Sequence, residues 1–166
     1  IDATDLKLVP LADDLVTRID ELLPPRWSKN NPVDTAAGET RDTVPDLLEL
    51  LVGHESVDSI IFLGIGIQSN QGGMMESGRF YPEHGLERIV RFHQRQDARY
   101  AELAAEISES SGKPVLVASE LAVAQPDNAG VRAVRESGRL CYPSAARAVR
   151  ALDQMWGYAR YLGERG

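Results

Sequence analysis

One cysteine, Cys141, is all the thiol this chain of 166 residues holds. That excludes an intrachain disulfide and a thiolate metal cluster. The residue lies in Arg139-Leu140-Cys141-Tyr142, which reads as a short buried strand, and a small core side chain is its expected role. Basic residues are also in short supply. The chain has 18 Lys and Arg against 25 Asp and Glu, a formal charge of -7, which argues against a broad basic face and a nucleic-acid partner. Long apolar runs are missing too. None approaches the ~20 residues that cross a bilayer, and the first residues have no signal-peptide pattern, so a cytoplasmic location and no membrane partner are expected. There is no internal repeat and no low-complexity tract.

What remains is the composition of an ordinary globular domain: 43% apolar and 26% charged residues, in a length that buries a core without staples. One domain over residues 1–166 is expected, with a lead and first helix in 1–25 and an α/β body in 26–166. Leu15, Val16, Ile19, Leu22 and Leu23 mark an amphipathic helix stopped by Pro24-Pro25. Trp27 to Asp34 reads as extended, with Pro32 confined to the end of any strand. A helix follows over about Asp42 to Val52, with Thr43 and Asp46 three residues apart and Pro45 in the first turn.

Val57 to Ile65 is a continuous apolar run rich in branched residues, as in a strand covered on both faces. Gln68 to Gly78 has no period and reads as a mobile loop. A long helix is expected from Gly85 to Ser111, with Leu86, Ile89, Val90, His93, Tyr100, Ala101, Ala104 and Ile107 on one face and Gly112 closing it. Arg88, Arg91, Arg95 and Arg99 read as its solvated face, paired with Glu87 and Glu102. Pro114 to Ala118 is a second strand, Asp127 to Ser137 a helix, and Leu140 to Tyr142 a third strand. Ser144 then caps a last helix in which Ala148, Val149, Leu152, Met155, Trp156 and Ala159 face inward. Strands alternating with helices predict an α/β, flavodoxin-like (Rossmann-like) three-layer sandwich around a mainly parallel sheet.

Ligands of such sheets bind beyond the carboxyl ends of the strands. That edge carries Asp34 to Thr40, Gly64 to Gly78, Ser119 to Gln125 and Tyr142 to Ser144, with Gly64, Gly66, Gln68, Ser119 and Glu120 as candidate edge residues. The most informative stretch is Ala36-Ala37-Gly38-Glu39-Thr40, which turns from Asn31-Pro32-Val33-Asp34 into the apolar-periodic Val44, Leu47, Leu48 and Leu51. A helix start leaves N–H groups unpaired and carries roughly half a positive charge, so Ala37, Gly38, Glu39 and Thr40 form a candidate phosphate site.

Pro10-Leu11, Leu22-Leu23-Pro24-Pro25, Asn31-Pro32-Val33-Asp34 and Val57-Asp58-Ser59-Ile60-Ile61 occur in the order found in the NDP-forming acyl-CoA synthetases. Ser111-Gly112-Lys113-Pro114-Val115-Leu116 and Tyr142-Pro143-Ser144-Ala145-Ala146-Arg147-Ala148-Val149-Arg150-Ala151-Leu152 follow, so the likeness covers most of the chain. The chain resembles one domain of these relatives of succinyl-CoA synthetase, the second flavodoxin-like CoA-ligase domain of ADP-forming acetyl-CoA synthetases. The resemblance implies a supporting role in ligase chemistry. Acyl-CoA, phosphate and NDP are interconverted through a phosphohistidine that a neighbouring domain carries, held between two helix N-termini. The helix after Ala37-Gly38-Glu39-Thr40 matches the one this domain contributes. It also implies that the chain holds no cofactor of its own. CoA, ATP or ADP, and Mg would be bound by partner CoA-binding and ATP-grasp domains or subunits.

Departures from the family pattern set limits. No Ser-His-Thr-Gly-like sequence occurs, so no catalytic residue is assigned and the isolated chain is expected to be inactive. His54 is placed at a helix-to-strand turn as a cap, His84 in a loop at the mouth of the site, and His93 in the core. Glu39 beside a phosphate either points away or bonds the histidine ring. The strand, glycine-rich turn and helix that precede this segment in the family are not in the sequence given. The chain is then an excerpt of a longer protein, or another polypeptide supplies them, and a sheet lacking its first strand is expected, an edge compatible with a homo-dimer. The extended 68–84 loop either caps the acyl or CoA site or forms an interface, or has no function. Two other readings stay open: a non-catalytic interaction or regulatory module of the same fold, and an enzyme using His84, Glu83 and Glu120 as acid–base groups.

Overall fold

The computed structural model describes residues 4–36 and 42–164, which form a mixed α/β structure around an open parallel sheet. In chain order the elements are α1 (Asp13–Leu22), α2 (Thr43–Gly53), β1 (Ile60–Leu63), α3 (Ile67–Glu76), α4 (Leu86–Ser111), β2 (Val115–Ala118), α5 (Leu121–Ala124), α6 (Ala129–Glu136), β3 (Cys141–Tyr142) and α7 (Ala145–Gly163). The strands lie in the order β1-β2-β3, all parallel, with Ile60 opposite Val115 and Val117 opposite Cys141. The arrangement is consistent with a Rossmann-like fold.

Alternation along the strands divides the core in two. Ile60, Phe62, Val115, Val117 and Cys141 face a layer made by α2, α4 and α6, including Val44, Leu48, Tyr100, Ala104 and Val134. Ile61, Leu116, Ala118 and Tyr142 face α7, which supplies Ala148 and Leu152. β2 is buried throughout, whereas β1 is half-buried and Leu63 is exposed, because β1 lies at the edge and α7 covers the second face. β1 is thus covered on both faces, as its apolar run predicts, but incompletely. A separate cluster joins α1 to the outer side of α2 through Leu15, Ile19, Leu23, Trp27, Leu47 and Leu50.

Three expectations are corrected. Residues 28–34 form no strand: Ser28 Oγ donates within the segment to Pro32 O at 2.9 Å and accepts from Asp34 N at 3.0 Å, closing an irregular loop. Residues 67–76, expected as a loop, are helix α3. Met155, Trp156 and Ala159 do not face inward, because α7 outruns the sheet: 19 residues of helix span ~28 Å against ~13 Å for a four-residue strand. The ends of the long helix do follow the sequence: α4 stops at Gly112, which takes the left-handed conformation at φ 69°. Ser144 caps α7 by accepting from Arg147 N.

No helix among the described residues is long and apolar enough to cross a membrane.

Candidate functional site

The direction of α2 locates the carboxyl edge. Lys113, just before β2, donates through Nζ to Val52 O at 2.8 Å and His54 O at 2.9 Å, so the end of α2 sits at the amino side of the sheet. Its start therefore lies on the carboxyl side. There Asp42, the residue before the first helical position, gives α2 no side-chain cap. Its carboxylate instead accepts from Arg99 Nη2 of α4 at 2.7 Å. Ala37, Gly38, Glu39 and Thr40 fall outside the described residues.

The turn after β1 is ordered by glycine. Gly64 and Gly66 have φ of 95° and 93°, and Gly66 is the N-cap residue of α3. A Cβ on Gly66 would lie 2.7 Å from Asn128 Oδ1, and one on Gly130 would lie 2.9 Å from Gly66 N. The starts of α3 and α6 therefore touch backbone to backbone. Asn128 joins them: Nδ2 donates to Gly66 O at 3.0 Å, while Oδ1 accepts from Gly130 N at 3.0 Å and caps α6.

The start of α3 holds a carboxylate already. Asp97 of α4, 1% exposed, accepts from Ser69 N at 2.6 Å and from the Gly66 N–H. Burial pushes its pKa above the usual aspartate range, and the N–H donors of Ser69 and Gly66 pull it back only in part. This helix start is satisfied internally by a side chain 28 residues away. An open groove of about 610 Å³ runs beside it, between α4 and the turn into α6. Arg95 and Arg132 line it against Glu102, Asp127 and Glu136, so its rim carries both signs.

The other candidates disperse. His93 Nδ1 donates to Gln68 Oε1 at 2.8 Å, tying α3 to α4 with His93 half-buried. Ser119 N donates to Tyr142 O at 2.8 Å, and Ser119 Oγ accepts from Leu121 N at 3.3 Å, so it serves the turn into α5. Glu120 is exposed at that turn. His84 is exposed in a left-handed turn at φ 54°, with Glu83 at 3.8 Å. Among the described residues, no hydrogen bond or ion pair is recorded between Glu120 and either of them. His54 is the C-cap residue of α2, bonded to Ser56 Oγ at 2.7 Å and lying 3.3 Å from Asp14 of α1. Arg91 pairs with Glu87 at 3.1 Å as expected, and Arg99 pairs with Asp42 at 2.7 Å. Burial pushes the half-buried Cys141 thiol up, as suits a packing side chain. Among the described residues no cluster of three His, Cys, Asp or Glu is placed to hold a metal.

Asp97 and Asn128 lie outside the loops that the sequence marks as the ligand edge, and Ser69 lies within Gly64 to Gly78 without being singled out. Asp97 did leave a signal: it sits four residues after His93 and four before Ala101, a charged side chain within the apolar stripe of α4.

Comparisons with protein-family models, curated proteins and solved structures find no match.

Proposed function

We propose that this chain is the second flavodoxin-like CoA-ligase domain of an NDP-forming acyl-CoA synthetase, and that the start of α2 steadies a phosphohistidine carried by a neighbouring domain. The observation that carries the reading is the placement of that helix start. It opens on the carboxyl side of a parallel sheet without a side-chain cap from Asp42, and Arg99 offsets the Asp42 charge. The start of α3 is a poor alternative for the same task, because Asp97 occupies it. Gly38 stands where the resemblance calls for close backbone approach to phosphate oxygens.

In this reading the chain contributes electrostatic preorganisation and no nucleophile. It works in the cytoplasm with CoA-binding and ATP-grasp partners that hold CoA, nucleotide and Mg. Isolated, it shows no acyl-CoA-dependent NTP synthesis; robust turnover by the chain alone refutes the supporting role. The sharper experiment places Gly38→Glu in the complete synthetase. Phosphoenzyme yield falls while the melting temperature holds; equal phosphorylation at matched folding removes the phosphate assignment.

A second reading, an interaction module of the same fold without catalysis, draws support from the internally filled start of α3 and from the apolar end of α7. It predicts normal phosphoenzyme formation in the Gly38→Glu variant.

A further inference from the structure

The segment that enters α2 is held at each end by a guanidinium from elsewhere in the chain. After it, Arg99 of α4 reaches Asp42. Before it, Arg26, in the loop that follows α1, donates through Nε to Ala36 O at 3.2 Å. Ala36 takes φ 54°, a left-handed conformation that a Cβ disfavours. Two contacts keep it there: Arg26 on its carbonyl, and Asp34, whose Oδ1 accepts from Ala36 N at 2.9 Å. Backbone held in a sparsely populated region by its surroundings collects at ligand clamps.

The place of Arg26 is fixed by its neighbour. Trp27 is 3% exposed in the cluster that packs α1 on Leu47 and Leu50 of α2. The Arg26 side chain is itself exposed, and a neutral carbonyl occupies only one of its five donors. Among the described residues no carboxylate pairs with it, in contrast to Arg99. A whole positive charge is thus anchored to the residue immediately before Ala37-Gly38-Glu39-Thr40, in a chain of formal charge -7.

We propose that Arg26 is a phosphate-binding residue of the α2 site, with Nε anchored on Ala36 O and the two Nη groups turned to phosphoryl oxygens. This rests on the reading of α2 as the phosphate-receiving helix. A guanidinium suits the task because it stays charged at every working pH and its planar fork gives two parallel bonds to one phosphate. Asp34 is a positioning residue that acts through the Ala36 backbone. The α1 layer then has a role in the site: it carries the cation that meets the ligand from outside the helix start.

Inorganic phosphate, titrated at fixed ionic strength into the isotopically labelled chain, gives dissociation constants from the amide shifts of residues 37–43. Arg26→Ala and Arg26→Gln each weaken phosphate ~5–30-fold, the size of one charge-assisted contact at an open surface. Their melting curves stay close to that of the parent, since the side chain is exposed. Arg26→Lys keeps the charge without the fork and falls between them and the parent. Arg18→Gln removes an equal charge from α1 and leaves the affinity unchanged. A parent chain whose amides ignore phosphate overturns the reading of α2 and this inference with it. Equal binding by the parent and both neutral variants overturns the Arg26 assignment alone. So does parent-strength binding in Arg26→Gln beside a loss in Arg26→Ala, because the carboxamide still donates to Ala36 O and only the backbone contact is then at work. An equal loss in Arg18→Gln also overturns it, since the effect is then one of net charge.

Discussion

Replacing Asp97 by alanine removes the carboxylate that holds the start of α3. Two N–H groups, from Ser69 at 2.6 Å and from Gly66, lose a charged acceptor in a site where Asp97 is 1% exposed. Hydrogen bonds to charged groups are worth ~1.5–3 kcal/mol each, so the two bonds set a gross loss of about 3–6 kcal/mol. Burial of the charge opposes this and outweighs the bonds in setting the pKa, so the loss is that of leaving buried donors without an acceptor, ~1–3 kcal/mol. In a chain of this size that lowers the melting temperature by roughly 2–12 °C.

The pH dependence has a definite sign. Because the folded pKa lies above the ordinary value of 3.8, the ionisation-linked part of the stability is fully present below that value. It is lost as pH rises through the raised folded pKa. The parent therefore loses stability from this group on going up from acid, and Asp97→Ala lacks that segment of the curve. Thermal melts of both proteins from pH 3 to pH 8 read it directly. The vacated start of α3 is also an anion hole, so formate raises the melting temperature of the variant more than that of the parent. A variant as stable as the parent at every pH, or one indifferent to formate, refutes the role given to Asp97.

Two glycines predict opposite outcomes. Gly66→Ala costs about 2–4 kcal/mol, from the left-handed backbone at φ 93° and the displacement of Asn128, whose Oδ1 lies 2.7 Å from the new methyl. Gly73→Ala, inside α3 with nothing within 4 Å, stabilises by ~0.5–1 kcal/mol; urea unfolding measures both. Asp20 accepts from Lys29 Nζ and from Trp27 Nε1 at 2.7 Å, contacts that hold its pKa below the ordinary value, Lys29 first. Its stabilising contribution is present above 3.8 and is lost as pH falls through the lower folded value. In a Trp156→Phe background, the Trp27 emission shifts across that acid range, and Asp20→Asn abolishes the shift.

Periodicity made the strands and the long helices legible, because a branched apolar run such as Val115–Ala118 and the stripe of α4 carry their own signal. α3 carried none. Its sequence holds Gly72 and Gly73, and what makes it helical is tertiary: Asp97 satisfies its first N–H groups, and Gly72 packs closely on Val90 of α4. The 28–34 loop misled for the converse reason, since its backbone groups are taken by Ser28 and not by a neighbouring strand. The inward face of α7 was legible as a pattern, but its overhang depends on strand length, which the helix itself does not encode. Of the candidate edge residues, Gly64 and Gly66 shape the turn after β1. The buried pair that organises it, Asp97 and Asn128, lies about 30 and 60 residues downstream of that turn, and residues so far apart meet only through the crossovers of an α/β fold.

The claim that the start of α2 receives a phosphoryl group is tested most directly by titrating inorganic phosphate into the isotopically labelled chain and following its amide resonances. The account predicts saturable shifts confined to the amides of residues 37–43, lost in Gly38→Glu. Shifts that centre elsewhere, or an amide spectrum that phosphate leaves unchanged, contradict it.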